Sequence, residues 1–122
     1  MKLKNWMTGK AIVCALFALI FFLDPLGAAD MYGMQVGDAG AYLSRLLGAS
    51  FVVLTIFLWL MRGVESPRNR RAICMAVCVG DLAGAVAALM AQLSGVTNTV
   101  GWTTVVLYLV LALGFGYFLL PR

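Results

Sequence analysis

The sequence predicts an all-α integral membrane protein, a bundle of four transmembrane helices with antiparallel neighbours and both termini on the cytoplasmic side. Three observations predict it. Four apolar runs, residues 9–26, 41–61, 72–94 and 102–120, each have about the 17–25 residues needed to cross the hydrocarbon core of a bilayer. The chain is 63% hydrophobic and 11% charged, with a mean hydropathy of +0.97, too apolar for the surface of a water-soluble domain. Lys and Arg gather at the N-terminus, the middle loop and the C-terminus, while the other two loops have none; that bias sets orientation in short-looped membrane proteins. With 122 residues, a single transmembrane domain over 1–122 is expected.

The first run follows Lys2, Lys4 and Lys10 and ends at the small residues Gly27, Ala28 and Ala29, a layout shared with secretory leaders. Asp24 and Pro25 fit badly at the end of a leader's apolar region, so the run is read as a retained helix. Residues 27–40 form an outer loop with Asp30 and Asp38 and no basic residue. The second run, about 21 residues at 1.5 Å per residue, covers roughly 30 Å. Residues 62–71 contain Arg62, Arg68, Arg70, Arg71 and Pro67, predicting a basic cytoplasmic loop in which the proline stops the preceding helix. An uncharged connection joins the third and fourth runs, and Arg122 closes the chain. Trp6 and Trp59 fall at the inner interface and Trp102 at the outer one, where amphipathic rings prefer to sit.

Composition excludes several function classes. There is no histidine, so the commonest ligand of haem, zinc and copper and the usual neutral-pH base are missing, and no cofactor or metal is expected. The net charge of +4 reports topology rather than a nucleic-acid partner. Cys14, Cys74 and Cys78 all fall inside apolar runs, as small buried hydrophobes do; Cys74 and Cys78, four apart on a helix at the reducing side, are poorly placed for a disulfide. No nucleophile, phosphate-loop or metal motif is present, and no catalytic residue is assigned.

Ionisable groups inside the bilayer are costly and are the first candidates for function. With midplanes at the centres of the runs, Arg45 sits about 9 Å and Asp24 about 10 Å toward the outside, while Asp81 lies within about 3 Å of the midplane. Arg45 is therefore expected to pair with Asp24 or to reach Gln92. Asp81 is read either as a proton- or cation-binding carboxyl or as a protonated one hydrogen-bonded to Thr55 or Tyr108, holding the bundle together. In the third run Cys74, Cys78, Asp81, Ala85, Ala88 and Gln92 fall on one helical stripe, beside the small-residue pair Gly80 and Gly84, which marks a helix contact or a self-association face. The second run offers Ala41, Arg45, Gly48, Val52, Thr55, Trp59 and Arg62 as its matching stripe, with Gly48 as the close-packing position.

The stretches LSRLLGASFVVLTIFLWLMR (43–62), VGDLAG (79–84), AQLSG (91–95) and GFGYF (114–118) resemble uncharacterised bacterial inner-membrane proteins of four helices, including the broad DoxX-like group. The resemblance runs over residues 43–62 and 72–118, more than half of the chain. It implies the four-helix fold and a bacterial inner-membrane location, and it carries over no active-site residue.

Two functional expectations follow. The first is a small non-enzymatic membrane protein, an accessory or assembly subunit or a structural component, whose partners are the bilayer and other membrane subunits or a second copy through the third helix. The second is a small oligomeric transporter or channel built around the Asp81 carboxylate.

Overall fold

The computed structural model describes residues 2–120, and among them the chain is all-α: α1 (Leu3–Leu23), α2 (Pro25–Met31), α3 (Asp38–Met61), α4 (Pro67–Leu93) and α5 (Gly101–Tyr117), with no strand. Helices α1, α3 and α4 are long and apolar enough to cross a membrane; α5 is apolar throughout but shorter, at 17 residues. The basic C-terminal residue Arg122 lies outside the described residues. The chain divides into two compact units, one of residues 7–62 and the other of residues 2–6 with 63–120.

The helix ends depart from the apolar runs for identifiable reasons. Helix α1 begins at Leu3 rather than near residue 9, because Lys2, Lys4 and Lys10 do not oppose helix formation; Lys is a good helix former whose apolar stem can lie along the helix. Pro67, expected to stop a helix, opens one. It occupies the first turn of α4 behind the N-cap Ser66, whose Oγ accepts from the Asn69 N–H at 3.4 Å, and proline is favoured there because its missing N–H would have no helical partner. The basic segment is therefore not a loop over 62–71: Arg68, Arg70 and Arg71 stand on the first turns of α4.

Residues 27–40 are likewise not all loop. Asp24 caps α2 by accepting from the Gly27 N–H at 3.0 Å, and Pro25 takes the first turn. At the other end Gly33, at φ 70°, lets the Gly33 and Met34 N–H groups reach back to the Asp30 and Ala29 carbonyls at 3.0 and 2.9 Å. This paired closure needs a left-handed residue just past the helix, which glycine adopts without penalty. Gly95, at φ 78°, ends α4 in the same way.

In the unit of residues 7–62, α1 and α3 run antiparallel. Phe51 of α3 sits among Cys14, Ala18 and the Phe17 and Phe21 rings of α1, with ring centroids 5.6 and 6.0 Å away. Gly48 allows the closest approach: a Cβ there would stand 2.9 Å from the Phe22 backbone nitrogen and 3.2 Å from the Ala18 carbonyl oxygen. Ser44 Oγ donates to the Phe21 carbonyl at 3.5 Å. The packed face of α3 is thus Ser44, Gly48, Phe51, Thr55 and Leu58. The expected stripe is rotated from it, since Arg45, Val52 and Trp59 are exposed; aromatic packing, not the polar residues, decides which way the helix faces. Pro25, Ala28 and Ala29 of α2 are buried, and α2 packs against α3.

In the other unit, α4 and α5 form an antiparallel hairpin. Arg71 meets Leu119, Cys78 meets Ala112, Gly84 meets Tyr108, and Gln92 meets the start of α5 at Gly101. Phe115, fully buried, takes the Trp6 ring edge-on at 6.3 Å, and Trp6 also fills the space that a side chain at Gly114 would need.

Gly48→Ala is expected to destabilise the protein by about 1–3 kcal/mol, the usual cost of overpacking, because the clash falls on backbone. Gly9→Ala, with nothing within 4 Å of its added carbon, should be neutral or slightly stabilising, since alanine is the better helix former. Reversible unfolding of both variants in mixed micelles checks this pair.

Candidate functional site

The candidate polar residues are distributed along the helices, and each takes its role from the element that holds it. Asp81 is 3% exposed, on the packed face of α4. The stripe expected around it holds that face: Cys74 and Ala85 are also buried, and Cys78, Ala88 and Gln92 are half-buried. Besides the cysteines, Lys10 on α1 is the other buried ionisable side chain among the described residues, at 6% exposure. Both are engaged by other groups of the protein. Lys10 was not legible as a candidate from the apolar run alone, which places it as a basic flank. Starting α1 at Leu3 puts it two turns inside the helix, about 10 Å along the axis.

Asp24 and Arg45 do not form the expected pair. The Asp24 carboxylate caps α2 through the Gly27 N–H, and Arg45 is exposed on α3. Gln92 is engaged within its own helical hairpin. Its Oε1 accepts from Thr97 Oγ1 at 2.8 Å and its Nε2 donates to the Asn98 carbonyl at 3.0 Å, so the amide closes the α4–α5 connection. Thr55 Oγ1 donates to the Phe51 carbonyl one turn back, at 2.8 Å. The Tyr108 ring lies over Gly84, within 2.8 Å of where a Cβ would be.

The small pair Gly80 and Gly84 is split between two surroundings. Gly84 faces α5, whereas Gly80 is exposed, with no other described group within 4 Å of where a Cβ would be. Around Gly80 the exposed positions Ala76, Ala83 and Ala87 complete a strip of small residues, bordered by the exposed large side chains Met75, Val79, Leu82 and Val86.

The three cysteines are free thiols; Cys14 and Cys74 are buried, and Cys78 Sγ donates to the Ala112 carbonyl at 3.3 Å, joining α4 to α5. Among the described residues no group of three or more Cys, Asp or Glu is placed to hold a metal ion. Trp59 carries the Arg62 guanidinium over its ring at 3.7 Å, a cation–π contact that ties a basic residue to the end of α3.

The class defined by these features is an all-α protein with three helices long and apolar enough to span a membrane. No family model, curated protein or solved structure matches the chain.

A double-mutant cycle separates the cap from the ion pair that depth alone predicted. Asp24→Ala should cost about 0.5–2 kcal/mol through loss of the cap, and its effect should add to that of Arg45→Ala within about 0.5 kcal/mol, as for groups that share no contact. A larger coupling in micelle unfolding would mean that the two charges interact.

Proposed function

We propose that the chain is a small non-enzymatic integral membrane protein, a four-helix bundle with both termini in the cytoplasm, that serves as an accessory or assembly subunit or a structural component of a bacterial inner membrane. The orientation is supported by the basic residues beside α1 and on the first turns of α4, against uncharged or acidic connections elsewhere. The bacterial setting is supported by the resemblance to DoxX-like proteins in layout.

The observation that carries the accessory role is the outer face of α4. Helices in lipid associate mainly through close backbone approach and van der Waals packing, because lipid tails are as apolar as leucine. A strip of Ala76, Gly80, Ala83 and Ala87 left exposed among large side chains suits a second transmembrane helix, from another subunit or another copy of this chain. Gly80→Leu is expected to abolish co-purification of that partner, or of the second copy, after mild solubilisation, with helix content by circular dichroism unchanged. Recovery of the wild-type protein as a lone monomer would sink the proposal.

The deep burial of Asp81 favours one second reading, a small oligomeric transporter in which this carboxyl binds a proton or cation. Under it, Asp81→Asn should abolish pH-dependent flux in proteoliposomes while leaving oligomeric state unaltered; undiminished flux would exclude the role.

A further inference from the structure

Arg70 and Arg71 stand on the second turn of α4 at the edge of a cavity of about 400 Å³, whose other walls include Pro67, Leu3 at the start of α1, and Phe118 and Leu120 just past α5. All of these residues belong to the unit of residues 2–6 and 63–120. The Arg71 guanidinium is fixed there: its Nη1 donates to the Leu119 carbonyl at 3.2 Å, leaving most of its five donors for other acceptors. Neither guanidinium is paired with a carboxylate among the described residues. In this unit Lys2, Lys4 and Arg68 add to the positive charge, against Glu65, two residues before Pro67 in the chain, and Asp81, ten residues along α4 from Arg71, about 15 Å away.

The cavity therefore combines a cationic side with an apolar one, at the end of a helix apolar enough to span a membrane. A free anion would use only the first. An amphiphile with a phosphate joined to acyl chains would use both, and the depth at which a spanning helix leaves the hydrocarbon is the depth of lipid phosphates. We propose that this cavity binds the phosphate of an anionic membrane lipid, with Arg70 and Arg71 holding the phosphate oxygens and Leu3, Phe118 and Leu120 lying against the glycerol and the first methylenes. Guanidinium suits the role, since its planar fork meets two phosphate oxygens at once and is less strongly hydrated than an ammonium. The inference rests on the membrane reading and adds a ligand class to it.

The test is native mass spectrometry of the full chain released from micelles doped with phosphatidylglycerol, phosphatidylcholine or inorganic phosphate. Phosphatidylglycerol should remain bound in preference to phosphatidylcholine, and the double variant Arg70→Gln/Arg71→Gln should lower its retention by about tenfold, the loss of one or two charge-assisted hydrogen bonds. Arg68→Gln removes an equal charge from the same helix but does not line the cavity, and it should leave retention near the wild-type level. Equal retention of the two lipids, an equal loss in Arg68→Gln, or an unchanged preference in the double variant would each overturn the proposal. Displacement of phosphatidylglycerol by equimolar inorganic phosphate would overturn the lipid as ligand in favour of the free anion. Membrane extraction of the same variants keeps the two readings apart, since a protein that needs detergent for release but shows no lipid preference loses only the ligand.

Discussion

A backbone that passes through hydrocarbon has no water to bind its N–H and C=O groups, so each must be satisfied inside the chain. Helices answer that demand everywhere except at their ends, where up to four donors or acceptors are left over. The ends of these helices are built to meet it. Asp24 and Ser66 each supply a side-chain oxygen to an otherwise orphaned N–H, with a proline next to each where a donor would be surplus. Gly33 and Gly95 turn the chain so that two N–H groups reach the last carbonyls. Turns, caps and the short helix α2 all follow from closing helix ends, whose leftover donors and acceptors need partners.

Lipid, which three of these helices are long and apolar enough to cross, removes the usual reason for large apolar side chains to gather inside. Leu16, Leu60, Val79, Leu93 and Leu113 are all more than half exposed, which in water would be a severe liability and in lipid costs nothing. What holds the helices is close approach. At Gly48 the backbone of α1 comes within a few ångströms of α3, and at Gly84 the Tyr108 ring occupies the space of the missing side chain. Two side-chain donors to helix carbonyls, Ser44 to Phe21 and Cys78 to Ala112, reinforce these contacts. Cys78 thus works as a hydrogen-bonding spacer between α4 and α5.

The existence of the long helices was legible because a run of about twenty apolar residues has few other physical solutions. Their ends were less so, because hydropathy marks where lipid contact stops rather than where the helix stops. Lys4, Lys10 and Arg68 to Arg71 are polar by that measure and helical by propensity. Pro67 was ambiguous in the same way, since the residue that cannot continue a helix is well suited to begin one. The helix over Pro25–Met31 carried a readable signature, an Asp-Pro start and a glycine at the close, but its seven residues are too few for hydrophobic periodicity to register. On α3 the polar residues Arg45 and Trp59 pointed to the wrong face, because a cation or an indole at an interface is satisfied by solvent and headgroups as well as by protein. The Phe51 contacts with Phe17 and Phe21 depend on residues thirty or more positions apart, which no local pattern contains.

Helix α4 is where these constraints meet. Its packed face holds Cys74, Cys78, Asp81 and Ala85, its opposite face is the small strip around Gly80, and its first turns carry Arg68, Arg70 and Arg71. Each surface asks for a different neighbour. A buried carboxyl constrains its surroundings strongly, because leaving such a group without compensation is far more costly than a misplaced methyl, so Asp81 fixes the rotation of α4 about its axis. Once that rotation is set, the 100° step per residue leaves no freedom in where Gly80 points. The rotation also determines which guanidiniums border the cavity and which, like Arg68, do not. A change at Asp81 should therefore be felt on the outer strip and at the basic end together, even though neither touches it, because one rigid helix carries all three.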